Sequence, residues 1–271
     1  MRKYRQLTAI ILTLLICTLF TAGCDVVLVP ADDKIESGES DTRFYEMTEY
    51  TGVEIDGAFE YEIQKADNWS IKITAGSNLF EYITVTKSGK VLNINMREPD
   101  GIFLISYSHP RPRAIITMPE LASLDSSGAT DGSVIGFKSE DDINISLSGA
   151  CAVDLENITA VTAMIDLSGA SKVTGRIMVD ILELEVASAS NIELEGSAGD
   201  VILTSRGASR ANLSDFIIHN ADITLRDASH GTINLDGKLD VRLSGASKLE
   251  YFGEPSIGIL DVSGASTFKK K

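Results

Sequence analysis

The residues of this 271-residue chain whose types could do chemistry together stand at regular intervals. Arg206 and Arg226 are one interval apart and Asp227 follows the second, while Arg210, His230 and Lys248 succeed one another at nearly the same spacing. If that interval is a structural period, these six side chains share one corner of a repeating fold. A row of guanidinium and ammonium groups could bind acidic glycans or carboxylates. An Asp beside a His could also act as acid and base on an acidic glycan, as in a polysaccharide lyase or hydrolase. The plain structural alternative is a solvated corner whose cations pair with Asp and Glu nearby. A lyase would need several carboxylates to hold a metal, and this stretch offers one, so catalysis is the weakest of the three.

Little else in the chain is equipped for chemistry. His109, His219 and His230 are scattered, and there is no CxxC, HExxH, GxGxxG, P-loop or GxSxG spacing. Neither a metal, a cofactor nor a nucleophile elbow is expected. Cys151 has no base placed beside it and reads as a small buried isostere of serine. Cys24 is different. Within residues 1–23, Arg2, Lys3 and Arg5 precede an apolar run from Leu7 to Phe20 and the small residues Ala22 and Gly23. That succession is a secretory signal, and its apolar run is short for a bilayer span of about 20 residues. The segment Thr21-Ala22-Gly23-Cys24 resembles a bacterial lipobox, with Thr21 where Leu is usual, which implies cleavage before Cys24 and acylation of its thiol. Acyl chains contribute about 0.8 kcal/mol per buried methylene, so two or three hold a protein on a membrane. The expectation is an exported, membrane-anchored lipoprotein at the cell envelope or surface. With Cys17 lost and Cys24 acylated, Cys151 is left alone and no internal disulfide forms.

Charge narrows the partners. The chain has 24 basic and 39 acidic residues. Loss of Arg2, Lys3 and Arg5 leaves 21 against 39, a net charge near −18. Such a molecule repels nucleic acid. The expected partners are the membrane, through the lipid, and a cell-surface glycan or protein, with the protein itself a monomer.

The elements that must position the corner are read from the repeat. Residues 24–43 are polar and acidic, a tether. Apolar and polar residues alternate from Phe44 onward, as in Val53, Ile55, Tyr61, Ile63, Ile71 and Ile73, which is a strand pattern. From Leu124 a unit centred on Ser-Gly-Ala-Ser recurs, with its alanine at 129, 150, 170, 189, 208, 228, 246 and 265. A period of roughly 20 residues marks a solenoid. Five and three residues before the alanine the positions are mostly aliphatic, from Leu124 and Ser126 to Leu260 and Val262, and these two columns and the alanine are expected to face inward. The pairs Gly149–Ala150, Gly169–Ala170, Gly207–Ala208, Gly245–Ala246 and Gly264–Ala265 are the structural core of the motif. Glycine supplies a bend, and the hydroxyl after the alanine, replaced by Cys151 in one copy, suggests a hydrogen-bond ladder from coil to coil. Each unit is too short to bury a core alone, so the copies stack into a parallel β-helix over 44–271, with regular repeats over 124–271. About 20 residues per coil from Phe44 gives on the order of 11 coils spaced about 4.8 Å apart. The segment Ile102–Arg113, with Pro110 and Pro112, interrupts the pattern as a contact loop or a connection.

Three stretches together resemble a known family: VEIDGAFEYEIQKADNWSIKITAG with the later KSGKVLNI, then AIITMPELASLDSSGAT, then the SGAS ladder. The likeness is to the family called putative auto-transporter adhesin, head GIN domain, and spans about residues 44–271. It implies an all-β, single-stranded right-handed parallel β-helix and an exported protein. The family offers no catalytic or binding motif to carry over.

Overall fold

The computed structural model describes residues 38–97 and 111–271, and residues 36–271 form one compact unit. Cys24, the signal segment 1–23 and residues 102–110 with His109 lie outside the described residues. No described helix is long and apolar enough to cross a membrane.

Alternation of period two produces strands, and the recurrent turn folds them into a parallel β-helix. One face consists of β2 (Gly52–Gly57), β8 (Ser123–Gly128) and β10 (Ile143–Leu147), continued by the second halves of four long strands. These are β11 (Ala152–Leu167), β12 (Lys172–Val186), β13 (Asn191–Ser205) and β14 (Arg210–Leu225), followed by β16 (Lys238–Leu243) and β18 (Ser256–Val262). The second face lies past the SGAS turn. It holds β3 (Glu60–Lys65), β9 (Asp131–Ile135), the first halves of β11 to β14, β15 (His230–Leu235), β17 (Lys248–Phe252) and β19 (Thr267–Lys270). A short third face, with Ile158 beside Ile177 and Gly196 beside Phe216, closes the coil. Inward columns such as Ile145, Ile165, Leu184, Leu203, Ile223 and Val241 are buried from coil to coil. No buried side-chain polar atom among the described residues lacks a hydrogen bond.

The first part of the chain departs from a simple stack. β2 lies between β8 and β6 (Val91–Met96), and β3 lies between β9 and β7 (Arg113–Met118). The chain therefore runs one coil, leaves it, lays β6 and β7 on its outer side and returns on the inner side at β8. On the way it forms β4 (Ser70–Gly76), which pairs antiparallel with β7 and with β1 (Ser40–Tyr45), and β5 (Ile83–Ser88), antiparallel to β6. Counting roughly 20 residues for every coil from Phe44 overestimates the stack, because β4 to β7 form this cap and do not extend the regular repeat. The cap core is aromatic, with Tyr50, Phe59 and Phe80 buried and the Trp69 indole N–H donating to the Tyr50 carbonyl at 2.9 Å. The repeat also starts one copy earlier than its regular spacing shows. Gly57, at positive φ, is in register with Gly128, and Glu60 with Asp131.

Candidate functional site: a basic corner on the SGAS turn

Each SGAS turn joins the first face to the second. Its glycine position has positive φ in all copies, from 62° to 87°, and where serine or aspartate replaces glycine, Ser188 and Asp227 adopt 64° and 62°. The alanine N–H donates to the carbonyl of the preceding coil's glycine position, as in Ala150 to Gly128 at 2.8 Å and Ala170 to Gly149 at 2.7 Å. The residue two after the alanine donates likewise, Lys172 to Cys151 and Arg210 to Ser190. The corner is thus a continuous backbone ladder.

The side chains at the turn are arranged differently from the expectation for alanine. All eight alanines of the repeat are exposed. The residues after them, Thr130, Cys151, Ser171, Ser190, Ser209, Ser229 and Ser247, are buried. The reason is phase: the turn bulges out at the glycine position but keeps the two strands in the same phase, so positions five and three before the alanine and one and three after it face inward, and the alanine falls on the outward phase. The inward hydroxyl gives the turn carbonyls a further donor beside the backbone N–H groups that several of them already accept, as Val186 O does from Arg206 N–H and Ser205 O from Arg226 N–H. The Ser209 hydroxyl donates to Arg206 O at 2.9 Å or Val186 O at 3.1 Å, and that of Ser229 to Arg226 O at 2.8 Å or Ser205 O at 3.3 Å. Cys151 Sγ lies 3.0 Å from Ser148 O and 3.8 Å from Gly128 O, in the same role. The coil-to-coil ladder of hydroxyls therefore exists, anchored on carbonyls of the same turn and of the coil before. Where the column three before the alanine has serine in place of an aliphatic residue, the two hydroxyls meet: Ser126 with Thr130 at 2.6 Å and Ser205 with Ser209 at 2.7 Å.

Outside this buried half, the six predicted side chains do converge. Leu225 is beside Ser205 in register, which sets Arg226 next to Arg206, and Arg210, His230 and Lys248 occupy successive rungs. They split into two groups. His230 Nε2 is 3.3 Å from Glu250 Oε2, and Lys248 Nζ is 2.9 Å from Glu250 Oε1. Lys271 Nζ adds a third contact to Glu250 at 3.2 Å. The two lysines hold the Glu250 carboxyl down at about 2. Partial burial lowers the pKa of His230, helped by the neighbouring Lys248 and Arg210 cations and opposed by Glu250. Asp227 Oδ2 accepts the Gly207 N–H at 3.0 Å and so acts as a side-chain cap for the neighbouring turn. By contrast, Arg206, Arg210 and Arg226 are exposed, and no described residue forms a hydrogen bond or ion pair with their guanidinium groups. The nearby Glu193 takes the Asn212 amide instead.

The corner is a ridge rather than a cleft. Its crest is Gly207, Ala208, Asp227 and Ala228, with arginines on either side, and depressions of the described surface lie elsewhere. One of about 400 Å³ lies on the first face, around Met164, Glu183 and Ile202. Another of about 420 Å³ lies beside β4 and β7, around Lys72 and Arg113. Among the described residues no group of His, Cys, Asp and Glu is arranged to hold a metal.

The fold and this repeat have relatives. The family profile for putative auto-transporter adhesin, head GIN domain, matches residues 49–255. This chain belongs to that family. Among solved structures, a putative adhesin from Parabacteroides merdae superposes with a TM-score of 0.77 at 16% identity, covering 87% of this chain and 98% of the other. A putative adhesin from Parabacteroides distasonis gives 0.75 at 14%, covering 88% and 100%. A putative lipid binding protein from the same species gives 0.66 at 18%, covering 88% and 99%. At these identities the likeness carries the fold of the head GIN domain and not its ligand. No curated protein matches the sequence.

Proposed function

We propose that this head GIN chain is a non-enzymatic lipoprotein of the cell envelope that acts as a surface-binding module, with the basic corner as its contact site. The observation that carries the reading is the set of unpaired, exposed arginines 206, 210 and 226 on adjacent coils of a chain with net charge −15. An acidic chain has carboxylates to spare for its arginines, so three left free side by side are available to an external anion. Family membership among putative adhesins supports the same reading. Binding without turnover is favoured because the corner is an open ridge of exposed residues that encloses no substrate, and because Asp227 already accepts the Gly207 N–H. Anchoring rests on the signal-like N-terminus and on Cys24.

The test uses cells that make the full chain. Wild type is expected to incorporate labelled palmitate and fractionate with membranes, and Cys24→Ala to lose both. Cells with the wild-type chain are expected to adhere to host-cell or mucin-coated surfaces, and cells with Arg206→Glu, Arg210→Glu and Arg226→Glu combined to lose most of that adhesion. Equal adhesion at equal surface abundance would overturn the corner as contact site.

A further inference from the structure

The outward-facing alanines leave the crest of the corner low. It is built from glycine, alanine, one serine and one aspartate, so no bulky side chain rises between the two cationic columns. Arg206 and Arg226 stand on one flank, two residues before the alanine. Lys172, Asn191, Arg210, His230 and Lys248 stand on the other, two residues after it, on consecutive rungs of the second face. Rungs are about 4.8 Å apart, so alternate rungs are about 9.6 Å apart, comparable to one disaccharide repeat of an extended glycan. A linear ligand laid along the solenoid axis over Ala189, Ala208, Ala228 and Ala246 is reached by guanidinium forks from both sides.

We infer that the SGAS ridge binds an acidic polysaccharide, a glycan bearing one carboxylate or sulfate per one or two sugars, lying lengthwise along the rod with its anions on Arg206, Arg226 and Arg210. The inference rests on the proposed role of the corner as contact site and adds the class and direction of its ligand. Charge density selects this polyanion over others. Double-stranded nucleic acid carries a charge every ~1.7 Å, and a rod of net charge −15 repels it over its whole length while only three free arginines attract it. A sparsely charged glycan meets the arginines with less repulsion from the acidic faces. An anionic membrane is a plane, and pressing it on the ridge brings it toward those faces, where Glu183 and Glu185 are exposed on the coil adjoining Arg206 and Asp166 on the next. Sugar rings also suit the crest, since exposed Ala208 and Ala228 present small apolar surfaces. His230 and Lys248, held by Glu250, mark the edge of the strip more than they contribute charge to it.

The full chain in detergent micelles should be titrated with polygalacturonate and hyaluronate oligosaccharides of graded length, their carboxyl-reduced neutral counterparts, duplex DNA and anionic phosphatidylglycerol vesicles. The expected result is affinity for the acidic oligosaccharides that rises with length until the ligand spans the rungs from Asn191 to Lys248 and then levels off. Carboxyl reduction should lower the affinity at least tenfold, as should Arg206→Gln with Arg226→Gln. Arg206→Lys with Arg226→Lys should restore part of it, and Lys87→Gln in the cap should leave it unchanged. Equal binding of the neutral oligosaccharides, tighter binding of DNA or vesicles, or indifference to the Arg206 and Arg226 changes would each overturn the inference. If the acidic glycans fail to bind while the triple Arg→Glu change still abolishes cell adhesion, the ligand class is wrong and the contact site stands. If adhesion also survives that change, both fall.

Discussion

Two sets of turns in the same stack make an informative contrast. The turns at Gly149 and Gly169 have serine two residues before the alanine, while those at Gly207 and Asp227 have Arg206 and Arg226 there. Their buried halves match: positive φ at the glycine position, a backbone ladder between coils, and an inward Cys151, Ser171, Ser209 or Ser229 on the carbonyl three residues back. Their exposed halves differ in charge. In a solenoid each coil must reproduce its neighbour's backbone to pair with it, so the inward positions are held alike while the outward ones are free to diverge. The motif that makes the repeat visible is architecture, and the binding chemistry lies where copies disagree.

The largest effect should come from disturbing the shared half. Gly169 has φ of 77°, and a Cβ added there would stand 2.4 Å from the Gly149 carbonyl oxygen, itself part of the ladder. Gly169→Ala therefore combines left-handed strain with a clash against backbone, and is expected to destabilise the chain by about 2 kcal/mol or more. Urea unfolding of the two proteins measures it. A loss no larger than the about 0.5 kcal/mol typical of an ordinary surface substitution would mean that the turns adjust independently, and the contrast between fixed and free halves would fail.

Next in size is the inward hydroxyl. Ser209→Ala removes the hydroxyl donor to Arg206 O, while Val186 O keeps the Arg206 N–H, at a cost of about 1 kcal/mol. Cys151→Ser places the majority residue in a position whose contacts already suit a hydroxyl, and should change stability by less than about 1 kcal/mol. The same urea titration distinguishes the two. A Ser209→Ala protein as stable as wild type would reduce the buried serines to space-fillers.

Much of this is legible in the residues. The regular period, the aliphatic columns and the bend at glycine lead to a parallel β-helix without tertiary information, because every coil repeats the same local demand. The alanine is placed on the wrong side by sequence because a small apolar residue next to a turn fits either phase, and the odd-numbered rhythm running from Ile165 through Leu167 to Ser171 and Val173 is what settles it. The cap is legible only in part. Gly57-Ala58-Phe59 carries the motif with an aromatic in the serine position, but nothing local announces that β6 and β7 fold onto the outer side of the coil formed by β2 and β3, since that order depends on pairings between distant strands. For the corner, spacing brings the six residues together. Which of them stay free is decided by Glu250, one repeat beyond His230 and unremarkable in sequence.

The smallest stability effect, and the sharpest separation of the two halves, is expected at Asp227. This residue belongs to both, since its backbone takes the glycine conformation and its carboxylate reaches the Gly207 N–H beside Arg206. Asp227→Gly relieves a left-handed non-glycine residue, worth about 1 kcal/mol, and deletes an exposed hydrogen bond to the Gly207 N–H worth about the same. The two nearly cancel, so the unfolding midpoint should move little. Affinity for an acidic oligosaccharide should rise severalfold at low salt, because a competing anion has left the ridge, and the gain should shrink as salt screens the remaining charges. A stability loss above about 2 kcal/mol with unchanged affinity would place Asp227 wholly within the architecture, and the division of the turn into a buried scaffold and an exposed reader would have to be drawn one residue further out.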